Sequence, residues 1–390
     1  MDEFDLIVIG GGIHGVGVAQ AAAAGGYTAL LLEQRGLAAG TSSRSSKLIH
    51  GGLRYLESGE FNLVRESLRE RELLLRLAPD LVKRQRFFIP VYRATTRRPW
   101  MIRTGLSVYA VLAGLGKEVR FQSVPKTQWG GLDGLQTDGL QAVFQYWDAQ
   151  TDDTRLTQAV MGSATSLGAQ FLCPATFVRA VIDTKGCRVA YRYQGRDREC
   201  FTQCVVNAAG PWAASVLHRF VPVLPALSVE NVQGTHLELS GRVERGCYYM
   251  EVPEDKRAVF LIPWHDDRGL LGTTEHVYQG DPGEVAPLPE EIDYLLKVYR
   301  HYFPSRSTDV LSAWAGLRVL PAAQGAAFKR SRETQLPVND RRRPRVISIF
   351  GGKLTGYRVT AQKVLKQLSK TLPTRVPVAD TGELPLRADE

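Results

Sequence analysis

Features that would indicate secretion, metal binding or membrane insertion are scarce in this sequence of 390 residues. Its five cysteines are an odd number without a Cys-x-x-Cys pair, which argues against a disulfide framework and a thiolate metal site. No uncharged apolar run reaches the roughly 18 to 20 residues that a membrane-spanning helix needs. The N-terminus has no basic region or cleavage site, so we expect a cytoplasmic protein with reduced thiols and no bound metal.

Acidic residues are also in the minority. The chain has 49 Lys and Arg against 40 Asp and Glu, a formal net charge of +9 at pH 7. Such an excess fits an anionic partner, whether a phosphorylated substrate, an acidic lipid surface or nucleic acid. The composition, 44% hydrophobic and 23% charged, is typical of a globular protein, and the length is more than one compact domain usually holds. We therefore expect two connected domains.

The chain opens with a pattern of strand, glycine turn, helix, strand and acid. An apolar run at 6–9 leads into Gly10, Gly12 and Gly15, which form G-x-G-x-x-G before an alanine-rich segment. In this context the first glycine permits a tight turn, the second lets the backbone approach a pyrophosphate, and the third allows close helix packing. Glu33 ends the next apolar run, where an acid accepts hydrogen bonds from ribose hydroxyls. The sequence therefore predicts a dinucleotide site.

Two later segments favour FAD over NAD as the dinucleotide. A nicotinamide enzyme normally has a second nucleotide-binding half soon after the first, and none follows here. Instead, VVNAAGPWAA at 205–214 and ISIFGGKLTGY at 347–357 each indicate a strand, a turn and a helix. Both would bring small residues and free backbone N–H groups to a strand end, although ordinary turns are the alternative for each segment taken alone.

From residue 176 the pattern changes to short β-rich runs. Strands are predicted at 177–182, 188–193, 201–207, 232–239, 248–252, 259–262, 270–273 and 346–350, and helices at 60–77, 154–167, after Pro289 and at 354–368. The predicted class is α/β: an FAD-binding, doubly wound Rossmann-like domain with an inserted α+β substrate domain built on an antiparallel sheet. The predicted boundaries are 1–80, 145–225 and 330–372 for the FAD domain, 81–144 and 226–329 for the substrate domain, and 373–390 for a loose tail.

One segment closely resembles a known family. TSSRSSKLIHGGLRYLE at 41–57 is similar to the flavin-proximal loop of the respiratory, FAD-dependent glycerol-3-phosphate dehydrogenases, within the D-amino-acid-oxidase-like flavoproteins. The similarity continues through EDKRAVFLIPW at 254–264, GTTE at 272–275, GLR at 316–318 and FGGKLTGYR at 350–358. Members usually carry a further C-terminal helical domain, and we expect this chain to lack it. They also usually have GTTD where this chain has GTTE, and Arg-Pro-Leu in the region where it has GLRVLPAAQ.

The resemblance implies a noncovalently bound FAD, oxidation of sn-glycerol 3-phosphate to dihydroxyacetone phosphate by hydride transfer to flavin N5, and electrons passed to a membrane quinone. The residues that match flavin-lining positions of the family are Thr41, Ser42, Ser43, Ser46, Lys47, Leu48, Lys353, Leu354 and Thr355. Further cofactor contacts are expected at Phe177, Ala208, Gly210, Trp212 and Gly352, at the ends of predicted strands.

Alcohol oxidation requires a base for the hydroxyl proton and a closely aligned hydride acceptor. The resemblance places His236 in the substrate pocket, and an unperturbed imidazole, with a pKa of about 6.5, suits the base role. The alternative is that His236 is a structural histidine on a strand. Tyr55 is the weaker candidate, since a phenol with a pKa of about 10 needs help from nearby cations. Lys353 is expected to stabilise negative charge on the reduced flavin.

A substrate phosphate is best bound by arginine, whose forked donors engage it bidentately. The matching motifs assign Arg318, also counted as catalytic, and Arg332 to this clamp, with Arg54 in support and Tyr55 and Thr274 beside them. Two other hypotheses stay open. A related flavoenzyme of another small hydroxy acid or amine would lack the clamp, and a catalytically silent flavin-binding membrane protein would lack turnover.

An apolar stretch at 100–116 is accompanied by Arg97, Arg98 and Arg103. Its uncharged part, 13 residues long, is too short to cross a bilayer but suits the interface. We expect segment 97–116 to attach the protein peripherally to the cytoplasmic face of the inner membrane, with a basic-capped core helix as the alternative. The second basic cluster, 341–345, indicates a solvated hairpin, and without an aromatic platform no nucleic-acid partner is expected.

Overall fold

The chain is organised around two β-sheets, as a computed structural model that describes residues 2–114, 116, 120–322 and 333–387 shows. Its strands are β1 (Asp2–Ile9), β2 (Ala29–Leu32), β3 (Leu48–Ile49), β4 (Val82–Tyr92), β5 (Gln122–Ser123), β6 (Leu140–Thr151), β7 (Gln170–Leu172), β8 (Ala175–Ile182), β9 (Cys187–Tyr193), β10 (Arg196–Asn207), β11 (Phe220–Val221), β12 (Val229–Ser240), β13 (Cys247–Glu251), β14 (Ala258–Trp264), β15 (Arg268–Gly272), β16 (His276–Tyr278), β17 (Val310–Pro321) and β18 (Val346–Ser348). Its helices are α1 (Ile13–Ala24), α2 (Phe61–Leu77), α3 (Pro99–Leu112), α4 (Asp153–Ser166), α5 (Ala213–Leu217), α6 (Pro289–Tyr302) and α7 (Tyr357–Leu368).

The first sheet has the strand order β11-β8-β9-β10-β1-β2-β7, with β18 also paired to β10. β1 is parallel to β2 and β10, and Ile9 lies opposite both Leu32 and Asn207. Asn207 in turn lies opposite Ser348 of β18, so four strands end at the same edge. Helix α1 is buried along almost its whole length because α4 and α7 pack against it. The predicted Rossmann-like architecture is confirmed.

The second sheet has the strand order β16-β12-β15-β14-β13-β4-β6-β3, with β17 on the other side of β12 and β5 beside β6. It is largely antiparallel; β13 and β4 are its parallel pair. At the centre of β12, His236 lies opposite Trp314 of β17 and Gly272 of β15. This sheet is the antiparallel one that the sequence predicts.

Each predicted strand overlaps a strand of the structure, but the long strands β4, β6 and β17 were missed by the sequence patterns. The domain boundary predicted before residue 145 is wrong, since it cuts through β6, which pairs with β4 along its length. These strands mix charged and apolar residues because one sheet face is only partly covered, which blurs the alternation that indicates a strand.

The C-terminal segment 373–387, predicted as a loose tail, is attached to two helices by backbone hydrogen bonds, although most of its residues are exposed. The Val378 N–H donates to the Ala24 carbonyl over 2.8 Å, which satisfies an orphan acceptor at the end of α1. Leu386 is 3% exposed, and its N–H donates to Leu77 at the end of α2 over 2.7 Å. This segment thus contacts the ends of α1 and α2 without forming a helix or a strand itself.

The basic hairpin is only partly solvated. Val338 and Ile347 form its bridge, and residues 341–343 are exposed at its tip. Arg345, however, is 3% exposed and donates to the carbonyls of Gln203 over 3.0 Å and Thr184 over 2.8 Å. It therefore anchors the hairpin to the first sheet.

Candidate active site

A cavity of about 360 Å³ runs along the edge at which β1, β2, β10 and β18 end. Its walls include most of the residues that the sequence singles out: Gly10, Gly12, Glu33, Thr41, Ser42, Ser46, Leu48, Tyr55, Phe177, Ala208, Gly210, Trp212, His236, Arg318, Gly352, Lys353, Leu354 and Thr355. Segments far apart in the chain therefore meet around one elongated space, which we call the first cavity.

The glycine turn at one end of this cavity has the geometry that its spacing predicts. Gly10 has φ +108°, and a Cβ there would come 2.6 Å from the Ala208 carbonyl oxygen. A Cβ on Gly15 would come 1.9 Å from the Gly10 carbonyl oxygen, so Gly15 packs the turn and does not line the cavity. Gly12 caps α1 without a side chain, which leaves helix N–H groups for an anion.

Glu33 is fixed beside this turn by backbone donors. Its carboxylate accepts hydrogen bonds from the N–H groups of Gly11 and Arg35, each over 2.7 Å. The Arg35 guanidinium lies 4.7 Å from the ring of Trp212, which closes the same end of the cavity. An acid at a strand end beside a glycine turn is the arrangement that holds an adenosine ribose.

His14 lies between two glycine turns and is half-buried. A Cβ on Gly352, whose φ is +96°, would come 2.4 Å from His14 Nε2. His14 Nδ1 is buried and has no hydrogen-bond partner among the described residues. Burial lowers the pKa of His14 to about 4. The turn at 351–352 therefore lies directly on the first glycine turn, and glycine is required there.

Two residues predicted to contact the cofactor, Ser43 and Lys47, do not line the cavity. Lys47 is 5% exposed, and its Nζ lies 2.5 Å from Asp153 Oδ1 and 2.6 Å from the Ser43 carbonyl oxygen. The Ser43 hydroxyl donates to the Gly40 carbonyl over 3.2 Å. A buried ammonium needs such a partner, so Lys47 ties the loop to α4 instead of facing the cavity.

A second cavity, of about 100 Å³, adjoins the first. The two share the wall residues Ser46, Leu48, His50, Tyr55, Thr273 and Arg318. At this junction the ammonium of Lys353 lies 3.7 Å from the centroid of the Tyr55 ring. The second cavity extends from there to Arg54 and Arg257 and has aromatic walls. It is a cationic pocket beside the far end of the first cavity.

Arg318 is held firmly at the junction. Its guanidinium lies 2.9 Å from Glu275 Oε1 and donates to the Thr274 carbonyl over 2.6 Å. A Cβ on Gly234 of β12 would come 2.1 Å from Arg318 Nη2, so that glycine makes room for the guanidinium. Arg332, the other predicted member of the clamp, lies outside the described residues.

Thr274, a predicted substrate contact, is turned away from both cavities by its hydrogen bonds. The Thr274 hydroxyl donates to Glu291 Oε1 over 2.5 Å and accepts from the Thr235 N–H over 2.8 Å. It is 3% exposed and lines neither cavity, whereas Thr273 lines both. The two side chains point to different sides of the loop between β15 and β16, and the sequence alone did not show which one faces the pocket.

Arg257 is a cationic wall residue that the sequence patterns did not single out. Asp255 Oδ2 accepts from its Nε over 2.7 Å, and the ring of Tyr294 lies 4.7 Å from the guanidinium carbon. Asp255 also accepts from the Tyr294 hydroxyl over 2.9 Å, which fixes the group further. Its position in the EDKRAVFLIPW motif was the available signal, but most arginines in a basic protein are surface residues.

The environment of His236 differs strongly from that of a histidine in water. It is 3% exposed, its ring stacks on Trp314, and its Nε2 lies 2.9 Å from the Ser46 hydroxyl. Burial, followed by the positive charges of Arg318 and Lys47, lowers its pKa to about 3. The expectation of a pKa near 6.5 is therefore wrong. The imidazole is therefore neutral at physiological pH, and its surroundings disfavour the charged form.

The cavities fit an FAD. The close backbone approaches at Gly10 and Gly352, the enclosed imidazole nitrogen of His14, and Glu33 at the strand edge suit the adenosine and pyrophosphate part. Lys353, beside the second cavity, supplies a cation where a flavin ring would accumulate charge. Both ends of a long dinucleotide therefore have matching groups.

Comparisons with known proteins agree with this arrangement. The family described as FAD dependent oxidoreductase (DAO) matches residues 5–358. A glycerol-3-phosphate dehydrogenase of Pseudomonas aeruginosa is 38% identical over 396 residues, spanning 100% of this chain and 76% of that protein. A D-erythritol 1-phosphate dehydrogenase of Brucella abortus is 36% identical, spanning 95% of this chain and 74% of that protein.

A solved structure with bound FAD has the same fold. The glycerol-3-phosphate dehydrogenase of Bacillus halodurans, complexed with FAD, is 27% identical, with a TM-score of 0.76 over 98% of this chain and 68% of that one. The matched family model covers residues 5–358, which include both sheets. The chain therefore belongs to the DAO family of FAD-dependent oxidoreductases, and FAD is its cofactor.

Proposed function

We propose that this chain oxidises sn-glycerol 3-phosphate to dihydroxyacetone phosphate and passes the electrons to a membrane quinone. The observation that carries the proposal is the junction of a dinucleotide cavity with a small pocket that has Arg54, Arg257 and Arg318 in its walls. Arginine forks suit a phosphate dianion, and a pocket of this size suits a short substrate. Named relatives that act on glycerol 3-phosphate and erythritol 1-phosphate support a phosphorylated alcohol.

FAD supplies the hydride acceptor of this reaction, at flavin N5. We assign its binding to the glycine turn, Glu33, the loop that includes Ser46, and the segment around Lys353. Lys353 holds a positive charge near the redox centre, and its contact with Tyr55 fixes its position. The aromatic walls of the second cavity exclude water from the reacting carbon.

Within the second cavity, Arg54, Arg257 and Arg318 orient the phosphate and hydroxyl groups of the substrate. We keep Arg332 in the clamp as a proposal from the motif. His236 is the proton acceptor. The pKa of His236 rises when substrate binds, because a dianion beside Arg318 offsets one of the cations that lower it.

Glu275 favours a second candidate, a longer polyol phosphate. Its carboxylate lies in the wall of the second cavity, paired with Arg318. A carboxylate there can accept a hydrogen bond from an additional substrate hydroxyl. Erythritol 1-phosphate is therefore the substrate to compare with glycerol 3-phosphate.

Helix α3 supports peripheral membrane attachment. Its exposed side presents Trp100, 68% exposed, and Met101, 41% exposed, while Ile102 and Leu106 are buried. Arg97 does not belong to this surface, because it pairs with Glu57 and Glu251. Among the described residues, no helix has the length and apolarity that a membrane crossing requires. We propose that α3 lies on the cytoplasmic face of the inner membrane, near its quinone pool.

Product formation tests the proposed reaction. Purified FAD-loaded protein with glycerol 3-phosphate and a soluble quinone should yield one dihydroxyacetone phosphate for each quinone reduced. Erythritol 1-phosphate and unphosphorylated glycerol serve as comparisons. Faster turnover of erythritol 1-phosphate would assign the longer substrate, while equal turnover of glycerol would contradict a phosphate clamp. Absence of turnover with all three, in protein that retains FAD, would indicate a catalytically silent flavoprotein.

A further inference from the structure

His236 is separated from the second cavity by Ser46. His236 lines the first cavity but is not in the wall of the second, whereas Ser46 lines both. The Ser46 hydroxyl oxygen lies 2.9 Å from His236 Nε2. The other ring nitrogen, Nδ1, is buried and has no hydrogen-bond partner among the described residues. The nitrogen of His236 that faces the substrate side is therefore occupied by a serine hydroxyl.

The surroundings hold the imidazole in this orientation. Its ring stacks on Trp314 with centroids 6.0 Å apart and planes at 18°. A Cβ on Gly272 would come 2.2 Å from His236 Cδ2, so the backbone of β15 closes the ring from another side. The Lys47–Asp153 ion pair fixes the loop next to Ser46. The serine and the histidine thus meet between rigid parts of the protein.

We infer that Ser46 is a catalytic proton relay between the substrate hydroxyl and His236, an inference that rests on the proposed function. The substrate O–H bond breaks and its proton passes to Ser46 Oγ, while the Ser46 hydroxyl proton passes to His236 Nε2. The electron pair of the substrate C–H bond leaves with its hydrogen as hydride to the oxidised flavin, and the C=O bond forms. Atoms and charges balance: alcohol and imidazole become ketone and imidazolium, and the flavin gains the hydride.

A relay also suits the hydrogen bonding at Ser46, which borders the second cavity and whose Oγ lies 2.9 Å from His236 Nε2. The hydroxyl serves both as donor and as acceptor, which a relay requires. Ser46 therefore performs proton transfer in addition to its predicted contact with the cofactor.

Single-turnover flavin reduction by glycerol 3-phosphate tests the relay. The rate is expressed per bound FAD, in H2O and in D2O, for the wild type and for Ser46→Ala, Ser46→Thr and His236→Gln. We expect Ser46→Ala to lower the rate by about 10²-fold, the lower end of what general acid–base catalysis contributes, with little change in substrate affinity. Ser46→Thr retains a hydroxyl and should stay within about tenfold of the wild type.

The double variant Ser46→Ala/His236→Gln distinguishes a relay from two independent effects. In a relay both residues serve one proton transfer, so the double variant should be about as slow as the slower single variant. The relay would be overturned if the rate losses of the two single variants multiplied in the double variant, or if Ser46→Ala reduced its flavin at the wild-type rate. A solvent isotope effect in Ser46→Ala equal to that of the wild type would also overturn it. If Ser46→Ala does not hold FAD, Ser46→Cys, with its weakly donating thiol, decides in its place. Failure of wild-type flavin to be reduced would instead overturn the proposed function.

Discussion

Lys353 Nζ lies 3.7 Å from the centroid of the Tyr55 ring, at the junction of the two cavities. The two residues are nearly three hundred positions apart in the chain, and both line the first cavity. The electron-rich face of an aromatic ring attracts a cation and helps to fix its position. The pair therefore provides a fixed positive charge beside the redox centre.

Single substitutions distinguish the role of the Lys353 ammonium from the roles of the ring and the hydroxyl of Tyr55. Lys353→Met should slow flavin reduction by about 10²-fold, since it removes a cation that stabilises developing charge. Tyr55→Phe keeps the ring and should stay within about tenfold of the wild type. Stopped-flow reduction measures both. A much larger loss in Tyr55→Phe than in Lys353→Met would instead identify the phenol as the essential group.

Arg257 is predicted to contribute to phosphate binding. Arg257→Ala should raise the KM for glycerol 3-phosphate by about 10-fold or more, because a hydrogen bond to a charged group is worth about 1.5–3 kcal/mol. Inorganic phosphate should weaken as a competitive inhibitor to a similar extent. Arg192→Ala is the matched control, since Arg192 is exposed and pairs with Asp197 at the surface. Equal KM values in both variants would exclude Arg257 from the clamp.

Gly352 is predicted to be essential for cofactor binding. An alanine there would combine φ +96° with a Cβ 2.4 Å from His14 Nε2, so the turn must move away from the glycine turn of α1. Gly352→Ala should weaken FAD binding by at least about tenfold, measured by flavin fluorescence on titration of the apoprotein. Gly59→Ala controls for backbone strain, since Gly59 has φ +72° and open space around its missing Cβ. Unchanged FAD affinity in Gly352→Ala would contradict the arrangement of the two turns.

Two histidines with lowered pKa values should make the apoprotein sensitive to acid. Their folded-state pKa values, about 4 for His14 and about 3 for His236, lie below the unfolded value of about 6.5. The unfolded chain therefore binds protons first as the pH falls, and stability that is complete above pH of about 6.5 is lost toward these lower values. For His14 the loss amounts to at most about 3 kcal/mol.

Urea unfolding between pH 7 and 4 tests this dependence. His14→Gln should reduce the fall in the free energy of unfolding, because glutamine does not titrate. His276→Gln, at an exposed position, controls for the loss of a histidine as such. If the free energy of unfolding falls by the same amount between pH 7 and 4 in His14→Gln and in the wild type, His14 is not enclosed as described.

The attachment of α3 to membranes is predicted to depend on charge and on Trp100. The protein should sediment with vesicles that contain anionic lipid at low salt and should be released at high salt, because Debye screening weakens such attraction. Trp100→Ser/Met101→Ser should reduce the bound fraction. Phe61→Ser changes an exposed aromatic residue of α2 and serves as the control. Absence of sedimentation of the wild type at low salt would exclude this surface.

Local patterns in the sequence predicted the first sheet and its glycine turn well. The packing of Gly15 on the Gly10 carbonyl oxygen is a contact within a few residues, and Glu33 follows directly from the end of β2. Such features depend on neighbours in the chain and are readable without tertiary structure. The family motifs added the loop around Ser46 and the segment around Lys353, which both line the first cavity.

The direction of individual side chains was not predictable in the same way. Thr273 and Thr274 differ only in which side of the chain they occupy, and the buried partners Glu291 and Asp153 that draw Thr274 and Lys47 away come from distant segments. The pKa of His236 likewise depends on enclosure by other strands. Each of these properties is set by tertiary contacts, which a motif does not contain.

Anaerobic addition of glycerol 3-phosphate to the purified, FAD-loaded protein, followed by its visible spectrum, tests the proposed reaction most directly. The flavin absorption should bleach at millimolar glycerol 3-phosphate, and unphosphorylated glycerol at the same concentration should leave it unchanged. Folded protein that takes up no flavin, or bound flavin that glycerol 3-phosphate does not reduce, would overturn the proposed reaction.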